Sequence, residues 1–366
     1  MATPKQLAVA SLRVAVETCT AALHSISTTG HDTDGAELTT LQADWVSILS
    51  LLYGSTTKLA LALKPSSPTH SAALSPLKDI CDKISALSHC VALLELKHGS
   101  TLIQEITSIA EHVIESVRSL LQTFLDIETS DRRQSTGKAG DEYMVRIGTV
   151  HETIENARSN LSRDNIAAVR KKLAQNQDSL EDGLQEVDEM TTDQEPIDDW
   201  EDDGWGELGV DSKKRLDSDE IERAQKVHAI LRMSTLLHKR IMKDILSPPP
   251  HSSLKSSASL VQHVDSLVPQ SSALLVASDD LVATLYPPQN PSDISTELAA
   301  FMDVIKNLRS FIVTLLQELT LAEQMEAMRL QGGGVSQKDP KRWFEACFVQ
   351  IQRAASTLDS TLNKDG

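Results

Sequence analysis

Apolar residues recur every three or four positions along most of this chain, the spacing that places them on one face of an α-helix. The repeat is most regular after Ser75-Pro76, an N-cap residue followed by a proline that a first helical turn accepts. No segment shows a convincing two-residue alternation of the kind that strands need. The members of the most regular repeat are Leu77, Ile80, Ile84, Leu87, Val91 and Leu94.

The apolar repeat is interrupted near the middle of the chain by a strongly acidic segment. Residues 178–207 hold fourteen acidic side chains and no lysine or arginine, so a chain of net charge −17 is close to neutral outside them. From Met190 to Gly209 there is no helical apolar period, and dense like charges repel one another. We therefore predict an N-terminal helical bundle over 1–190, an acidic, disordered linker over 191–216 and a C-terminal helical bundle over 217–366.

This pattern predicts an all-α fold: two antiparallel helical bundle domains of about five helices each, joined by the acidic linker. The composition is consistent with it, since 40% of residues are hydrophobic but only 3% are aromatic. A core of Leu, Ile, Val and Ala suits interleaved helices better than a β-sandwich.

Two tryptophans make the acidic linker a candidate docking segment. Trp200 and Trp205 lie among the carboxylates of Asp198, Asp199, Glu201, Asp202 and Asp203. Apolar anchors flanked by charges are typical of a segment that docks on a basic groove, either of a partner or of the protein's own helices. An inert spacer is the alternative. A calcium loop is a weaker one, because the DxDxDG spacing and the glutamate at loop position twelve are missing.

The sequence gives little indication of chemistry. It contains no HExxH, GxSxG or GxxxxGK[ST] motif, and its histidines are scattered; His228 and His238 are interpreted as partly exposed packing residues. An acidic pI of about 5.1 argues against a nucleic-acid partner, because a protein that binds phosphates needs a row of basic side chains. We therefore expect no catalytic residues, no metal site, no cofactor and no nucleic-acid partner.

The chain is expected to work inside the cell, in cytoplasm and nucleus. Its four cysteines lack CxxC spacing and are interpreted as reduced, half-buried residues. Arg13 and Glu17 interrupt the only apolar run near the N-terminus, which argues against a signal peptide. No run approaches about 18 consecutive apolar residues, so no membrane association is expected.

Three hydroxyl groups are candidate phosphorylation sites. Ser135 follows a pair of arginines, as basophilic kinases prefer, and Ser179 and Thr192 each have an acidic residue three positions on. Such short patterns are common by chance.

A more specific pattern lies at residues 279–288. It reads Asp279-Asp280-Leu281, four residues, then Tyr286-Pro287-Pro288, in front of a long helix, a glycine-rich break and a final helix with an early tryptophan. In physical terms the prolines end a helix that Leu281 buries. The pattern resembles the C-terminal domain of the cyclin-D-binding protein family, also called the Grap-and-cyclin-D-interacting family. We treat the six named residues as a family marker rather than as a binding site.

The resemblance implies two helical bundle domains, no catalytic activity, and binding of cell-cycle and signalling proteins in nucleus and cytoplasm. It also implies a helix-loop-helix-like regulator without a basic DNA-contacting region. The function hypothesis is therefore a non-enzymatic adaptor or regulator whose partners are of the cyclin or transcription-regulator class. The alternative is a cytoskeletal or adhesion scaffold of the vinculin and catenin kind, which has similar long helices. An enzyme would require a cleft with convergent polar groups of shifted pKa.

Overall fold

The structure is a computed structural model, and it describes residues 2–28, 36–129, 138–192, 216–246, 258–330 and 340–363. Within these ranges the chain forms ten α-helices and one short 3-10 turn, and no strand is present. The prediction of an all-α, two-domain fold is confirmed. The compact units are Met1–Ala168, here unit 1, and Val169–Gly366, here unit 2.

Unit 1 is a closed ring of five helices. The first helix packs against the third and fourth, the second packs against the third and fifth, and the fourth packs against the fifth. The core is aliphatic, as the composition predicts, with Phe124 as its largest fully buried side chain. The helices are α1 (Pro4–Thr28), α2 (Leu38–Ala62), α3 (His70–Ala92), α4 (Ser100–Thr129) and α5 (Lys138–Ser159), with the 3-10 turn at Leu96–His98.

The start of α3 differs from the sequence prediction. The helix begins at His70 rather than after Ser75, and Pro76 lies buried inside it. Tertiary contacts stabilise the extra turn, because Ala73 is fully buried and His70 Nε2 lies 3.0 Å from Glu128 Oε2 in α4. A proline near the first turns removes a backbone hydrogen bond that these contacts offset.

α1 is the one helix of the described residues that is long and apolar enough to cross a membrane, with a mean hydropathy of 1.2. Here one of its faces forms part of the unit 1 core, and it packs against α3 and α4. The core helix of a protein can be as long and as apolar as a membrane-spanning helix, so length and composition alone do not identify α1 as a membrane span. That the protein has no membrane partner stays a prediction.

Unit 2 contains a closed ring of four helices with a fifth beside it. In the ring, α7 contacts α8 and α10, and α9 contacts α8 and α10. Pro269 lies inside α8. The elements are α6 (Asn165–Thr192), α7 (Ser218–Asp244), α8 (Ala258–Ala283), α9 (Pro291–Leu330) and α10 (Pro340–Leu362).

The division between the units falls inside α6. From Val169 onward the helix buries an apolar face and makes side-chain hydrogen bonds to α7 and α8. The boundary placed at residue 190 follows the end of the apolar repeat, whereas the structure divides the chain by the neighbours that α6 contacts. The buried apolar positions of α6 in unit 2 are Val169, Leu173, Leu180 and Val187.

Gly99 and Asn165 join the start of α4 to the start of α6 within unit 1. Gly99 precedes α4 with a φ of 94°, a conformation that favours glycine. Since Gly99 has no side chain to cap the helix, Asn165 does so: its Oδ1 accepts a 3.0 Å hydrogen bond from the Leu102 backbone N–H. The glycine also leaves the room that the Asn165 side chain fills, because a Cβ on Gly99 would lie 1.9 Å from Asn165 Cγ.

Candidate functional site

The proposed docking segment lies outside the described residues. This applies to Trp200 and Trp205, to the flanking carboxylates and to the candidate phosphorylation site Ser135. The docking hypothesis for the segment therefore stays a prediction. The carboxylates concerned are Asp198, Asp199, Glu201, Asp202 and Asp203.

The other two candidate phosphorylation sites lie on the exposed side of α6. The Ser179 hydroxyl donates to the Gln175 carbonyl at 3.4 Å, and the Thr192 hydroxyl donates to the Asp188 carbonyl at 2.8 Å. Within the part of the chain that the structure describes, both hydroxyls bond only to carbonyls of their own helix. Their use by kinases stays a prediction.

The family marker forms the corner at the end of α8. Leu281 and Leu285 are fully buried, as expected for the residues that attach this helix to the core. Tyr286 leaves the helix with 53% of its surface exposed, and its hydroxyl donates to Glu186 of α6. The tyrosine therefore connects α8 to α6 at the surface of unit 2.

The two marker aspartates lie in an acidic environment. Asp279 approaches α6 where that helix has a glycine: a Cβ on Gly183 would lie 3.9 Å from Asp279 Oδ1. Partial burial raises the pKa of Asp279, and the negative charges of Asp280 and Glu186 raise it further. These carboxylates repel one another, so the marker carries charge at this corner rather than an ion pair among its own residues.

Beyond the prolines, Gln289 attaches the corner to the start of α7. Its backbone N–H donates to Glu220 Oε1 at 2.8 Å, and its Nε2 donates to the Glu220 carbonyl at 3.2 Å and to the Leu285 carbonyl at 3.0 Å. Arg223 Nε donates to Gln289 Oε1 at 3.0 Å. Because Glu220 and Arg223 are almost fully buried, these bonds are shielded from water.

Glu220 also closes the N-terminus of α7. Its Oε2 accepts from the Asp217 N–H at 2.9 Å, and Asp217 Oδ1 accepts from the Glu220 N–H at 2.8 Å, which is a reciprocal capping box. The apolar repeat predicts no role for Gln289 or Glu220, although the D-x-x-E spacing of Asp217 and Glu220 is visible in the sequence. The corner at the end of α8 is thus the joint at which α6, α7 and α8 meet: Tyr286 of the marker reaches α6, and Gln289, just beyond the marker, reaches α7.

We expect the joint to tolerate the loss of Tyr286 better than the loss of Gln289. Gln289→Ala removes three side-chain hydrogen bonds in a partly buried setting and should lower the free energy of unfolding by about 2 kcal/mol. Tyr286→Phe removes one exposed bond and should cost about 0.5 kcal/mol. Urea denaturation followed by circular dichroism measures both. Equal effects of the two changes would contradict the structural role given to Gln289.

A second polar cluster is buried in unit 2 and centres on His238. The side chain is 1% exposed, which corrects the interpretation of this residue as partly exposed. Gln177 Nε2 donates to Glu181 Oε1 at 2.7 Å, which leaves Gln177 Oε1 to accept from His238 Nδ1 at 2.8 Å. His238 Nε2 then accepts from Ser271 Oγ at 2.6 Å, and Ser271 Oγ accepts from Asn176 Nδ2 at 2.8 Å.

The cluster holds α6, α7 and α8 together through a neutral histidine. Burial lowers the pKa of His238 from 6.5 to about 4. A low pKa in a buried group is one mark of a catalytic site, but both ring nitrogens here are bonded to neighbouring side chains. One feature of the sequence could have predicted this cluster. The apolar repeat of α6 has a gap between Leu173 and Leu180, and the helical period places the polar Gln177 on the buried face at that gap.

A small apolar depression lies in unit 1 at one end of α2. Trp45 is buried there, and its Nε1 has no hydrogen-bond acceptor within the part of the chain that the structure describes. Gln42 turns its amide away to the carbonyls of Ser162 and Arg163, at 3.1 and 3.2 Å. The lining includes one thiol, Cys90, whose pKa is raised by burial so that it stays protonated, and it offers no acid–base pair to activate it. It consists of Leu38, Leu41, Gln42, Trp45, Cys90, Leu94, Ile106 and Leu161.

The cysteines and metal-ligating residues do not form a further centre. Cys19, Cys90 and Cys347 are buried and Cys81 is partly exposed; burial raises the pKa of each thiol, so all four stay protonated at neutral pH. Among the described residues, no three His, Cys, Asp or Glu side chains come close enough to hold a metal ion.

Comparison with known proteins gives two consecutive matches to one protein family. Residues 44–193 match the family described as Grap2 and cyclin-D-interacting, N-terminal, and residues 201–310 match the C-terminal part of the same family. The chain is also similar to the cyclin-D1-binding protein 1 homolog of Xenopus laevis, with 25% identity over 254 residues, which is 69% of this chain and 73% of the relative. The matches follow one another along the chain and include the marker at 279–288. This chain therefore belongs to the Grap2 and cyclin-D-interacting family.

Proposed function

We propose that this protein is a non-enzymatic regulator or adaptor that binds cell-cycle or transcription proteins. The observation that carries the proposal is the consecutive match to the N-terminal and C-terminal parts of one family of cyclin-D-interacting proteins. Because the relative from Xenopus laevis is named for binding cyclin D1, a D-type cyclin is the first partner to test.

The arrangement of polar groups supports binding rather than catalysis. The buried histidine uses both of its ring nitrogens in bonds to Gln177 and Ser271. The polar residues around the marker close a helix cap and a corner. The proposed role needs exposed helix faces rather than a cleft, and long helices supply them.

We propose the cytoplasm and the nucleus as the places where the protein works, as the family resemblance implies. Imaging of the full chain carrying a fluorescent tag tests this. Exclusion from the nucleus in every phase of the cell cycle would contradict it.

Binding of the purified full chain to a purified D-type cyclin tests the proposed function directly. We expect saturable binding by biolayer interferometry with a Kd below about 10 μM, in the range of regulatory complexes. The control is an unrelated acidic helical bundle of similar net charge, which should not bind.

Affinity capture from cell extract then separates the two classes of function. Recovery of D-type cyclins or transcription regulators supports the proposal. Recovery of actin or junction proteins, together with no binding to the purified cyclin, would replace it with the scaffold alternative.

A further inference from the structure

One helix of this acidic protein is basic over most of its length. Between Glu222 and Asp244, α7 has no acidic residue, although the whole chain has a net charge of −17. Such a local reversal of charge is not needed to hold an acidic protein in solution. The basic residues in this part of α7 are Arg223, Lys226, Arg232, Lys239, Arg240 and Lys243.

Three of these cations share one exposed side of α7 with a leucine. Arg232, Leu236, Lys239 and Lys243 follow one another at spacings of four, three and four residues, which aligns them along one helix face. All four are exposed, and Leu236 keeps 44% of its surface open to solvent. An apolar side chain is thus framed by positive charges on a surface about 17 Å long.

α10 extends this surface. It runs antiparallel to α7, because Lys226 contacts Thr361, the Met233 carbonyl lies 3.7 Å from Cys347 Sγ, and Arg240 lies 4.8 Å from the centre of the Trp343 ring. This register places exposed residues of α10 alongside the four aligned residues of α7. We call the joint surface the α7–α10 face; it consists of Arg232, Leu236, Lys239 and Lys243 with Arg342, Ala346, Gln350 and Arg353.

The cations of the α7–α10 face are largely available to a ligand. Arg240, beside the face, is held by Asp244 at 2.6 Å and by the Trp343 ring. Lys239 has an exposed partner, Glu181, at 3.5 Å, and such a surface pair exchanges readily with another carboxylate. The face is therefore bordered by the fixed Arg240–Trp343 pair, whereas its own positive side chains are free to adjust to a ligand.

We propose that the α7–α10 face binds an acidic, amphipathic helix of a partner protein, whose apolar side covers Leu236 and whose carboxylates pair with the surrounding cations. This inference rests on the proposed protein-binding function and adds the surface and the chemistry of the partner. Two neighbouring helices that present an exposed leucine among cations match the way in which an amphipathic helix docks on a helical surface. The charge complementarity steers the partner, and burial of Leu236 holds it.

A short acidic helix fits this face better than an anionic membrane or nucleic acid. A large polyanion would come within a Debye length, about 8 to 10 Å, of the acidic residues elsewhere on unit 2 as well as of the face. A helix of a few turns meets mainly the local positive charges, with Glu181 and Asp244 as acidic neighbours that are themselves paired with Lys239 and Arg240. Residues 193–207 of this chain share the acidic and aromatic chemistry, so the experiment distinguishes a partner's segment from the chain's own.

The test uses the full chain and a synthetic, fluorescein-labelled helical peptide with leucine at every third or fourth position and glutamate on its other faces. A second peptide has glutamine in place of each glutamate. The face variant is Arg232→Ser/Leu236→Ser/Lys243→Ser. The matched control changes the same residue types at exposed positions of unit 1, as Arg13→Ser/Leu61→Ser/Lys58→Ser.

We expect fluorescence anisotropy to show that the face variant weakens binding of the acidic peptide by at least tenfold, whereas the control changes it less than twofold. Leu236→Ser alone, which leaves the charge unchanged, should weaken binding about fivefold, since buried apolar surface is lost. The glutamine peptide should bind at least tenfold more weakly than the acidic one. Circular dichroism checks that each variant keeps its helical content.

Three outcomes would overturn the proposal. Equal loss in the face variant and the control would show general charge attraction, and an unchanged Kd for Leu236→Ser would remove the apolar contact. If the acidic peptide binds only after Trp200 and Trp205 are changed to serine and the acidic residues of 193–207 to their amides, the chain's own segment occupies the face instead of a partner.

Discussion

Gly99→Ala should lower the free energy of unfolding of unit 1 by about 3 to 5 kcal/mol. A non-glycine residue at a φ of 94° is strained, and that alone costs roughly 1 to 3 kcal/mol. The new Cβ would also lie 1.9 Å from Asn165 Cγ, so the Asn165 side chain has to leave its place. The buried Leu102 N–H then loses its acceptor, which adds about 1 to 3 kcal/mol.

Gly148→Ala is the matched control, because it makes the same chemical change in the same unit. Gly148 lies inside α5, and a Cβ there would meet no atom within 4 Å. Alanine favours the helix over glycine by up to about 1 kcal/mol, so this variant should be slightly more stable than the parent protein. Guanidinium denaturation followed by circular dichroism gives both midpoints. Similar midpoints for the two variants would contradict the role of Gly99 at the start of α4.

Acid should destabilise unit 2 through His238. Burial holds the pKa of this side chain at about 4, below its ordinary 6.5, so between these pH values the unfolded chain takes up a proton that the folded chain does not. The stabilisation is therefore complete above about pH 6.5 and is lost progressively as the pH falls to about 4. The loss amounts to about 3 kcal/mol from this one group.

His238→Gln isolates this effect from the other titrating groups. Glutamine can also bond to Gln177 and Ser271, but it takes up no proton. Urea denaturation at pH 7.5, 6.0, 5.0 and 4.5 should show a steeper fall in stability for the parent protein than for the variant. Parallel pH profiles of the two proteins would mean that His238 is protonated as easily in the folded state as in the unfolded one.

Both effects depend on residues that join helices distant in sequence. Asn165 caps a helix that begins more than sixty residues earlier, and His238 bonds to Gln177 of α6 and Ser271 of α8. Each unit therefore joins distant helices through a few polar contacts within an otherwise aliphatic core. The face variant Arg232→Ser/Leu236→Ser/Lys243→Ser keeps Lys239, whose partner Glu181 accepts a hydrogen bond from Gln177 of the His238 cluster. It should therefore leave the pH dependence of folding unchanged.

The sequence by itself determined the helices and most of their buried faces. A repeat of three and four residues specifies which side of a helix is apolar, and this depends on local geometry alone. Leu77, Ile80 and Ile84 are accordingly buried where the repeat places them. The family, too, was accessible from ten residues of the chain, because the marker at 279–288 is a local pattern.

Only the tertiary structure decided what the helices pack against and which polar residues become buried. The helical period does not say which unit receives α6, or that Pro76 and Pro269 lie inside helices whose neighbours offset the missing hydrogen bonds. It also does not show that Gln289 bonds to Glu220, or that basic residues of α7 and α10 form one surface. These features arise from contacts between distant segments, whose free energies depend on geometry that a one-dimensional pattern does not contain.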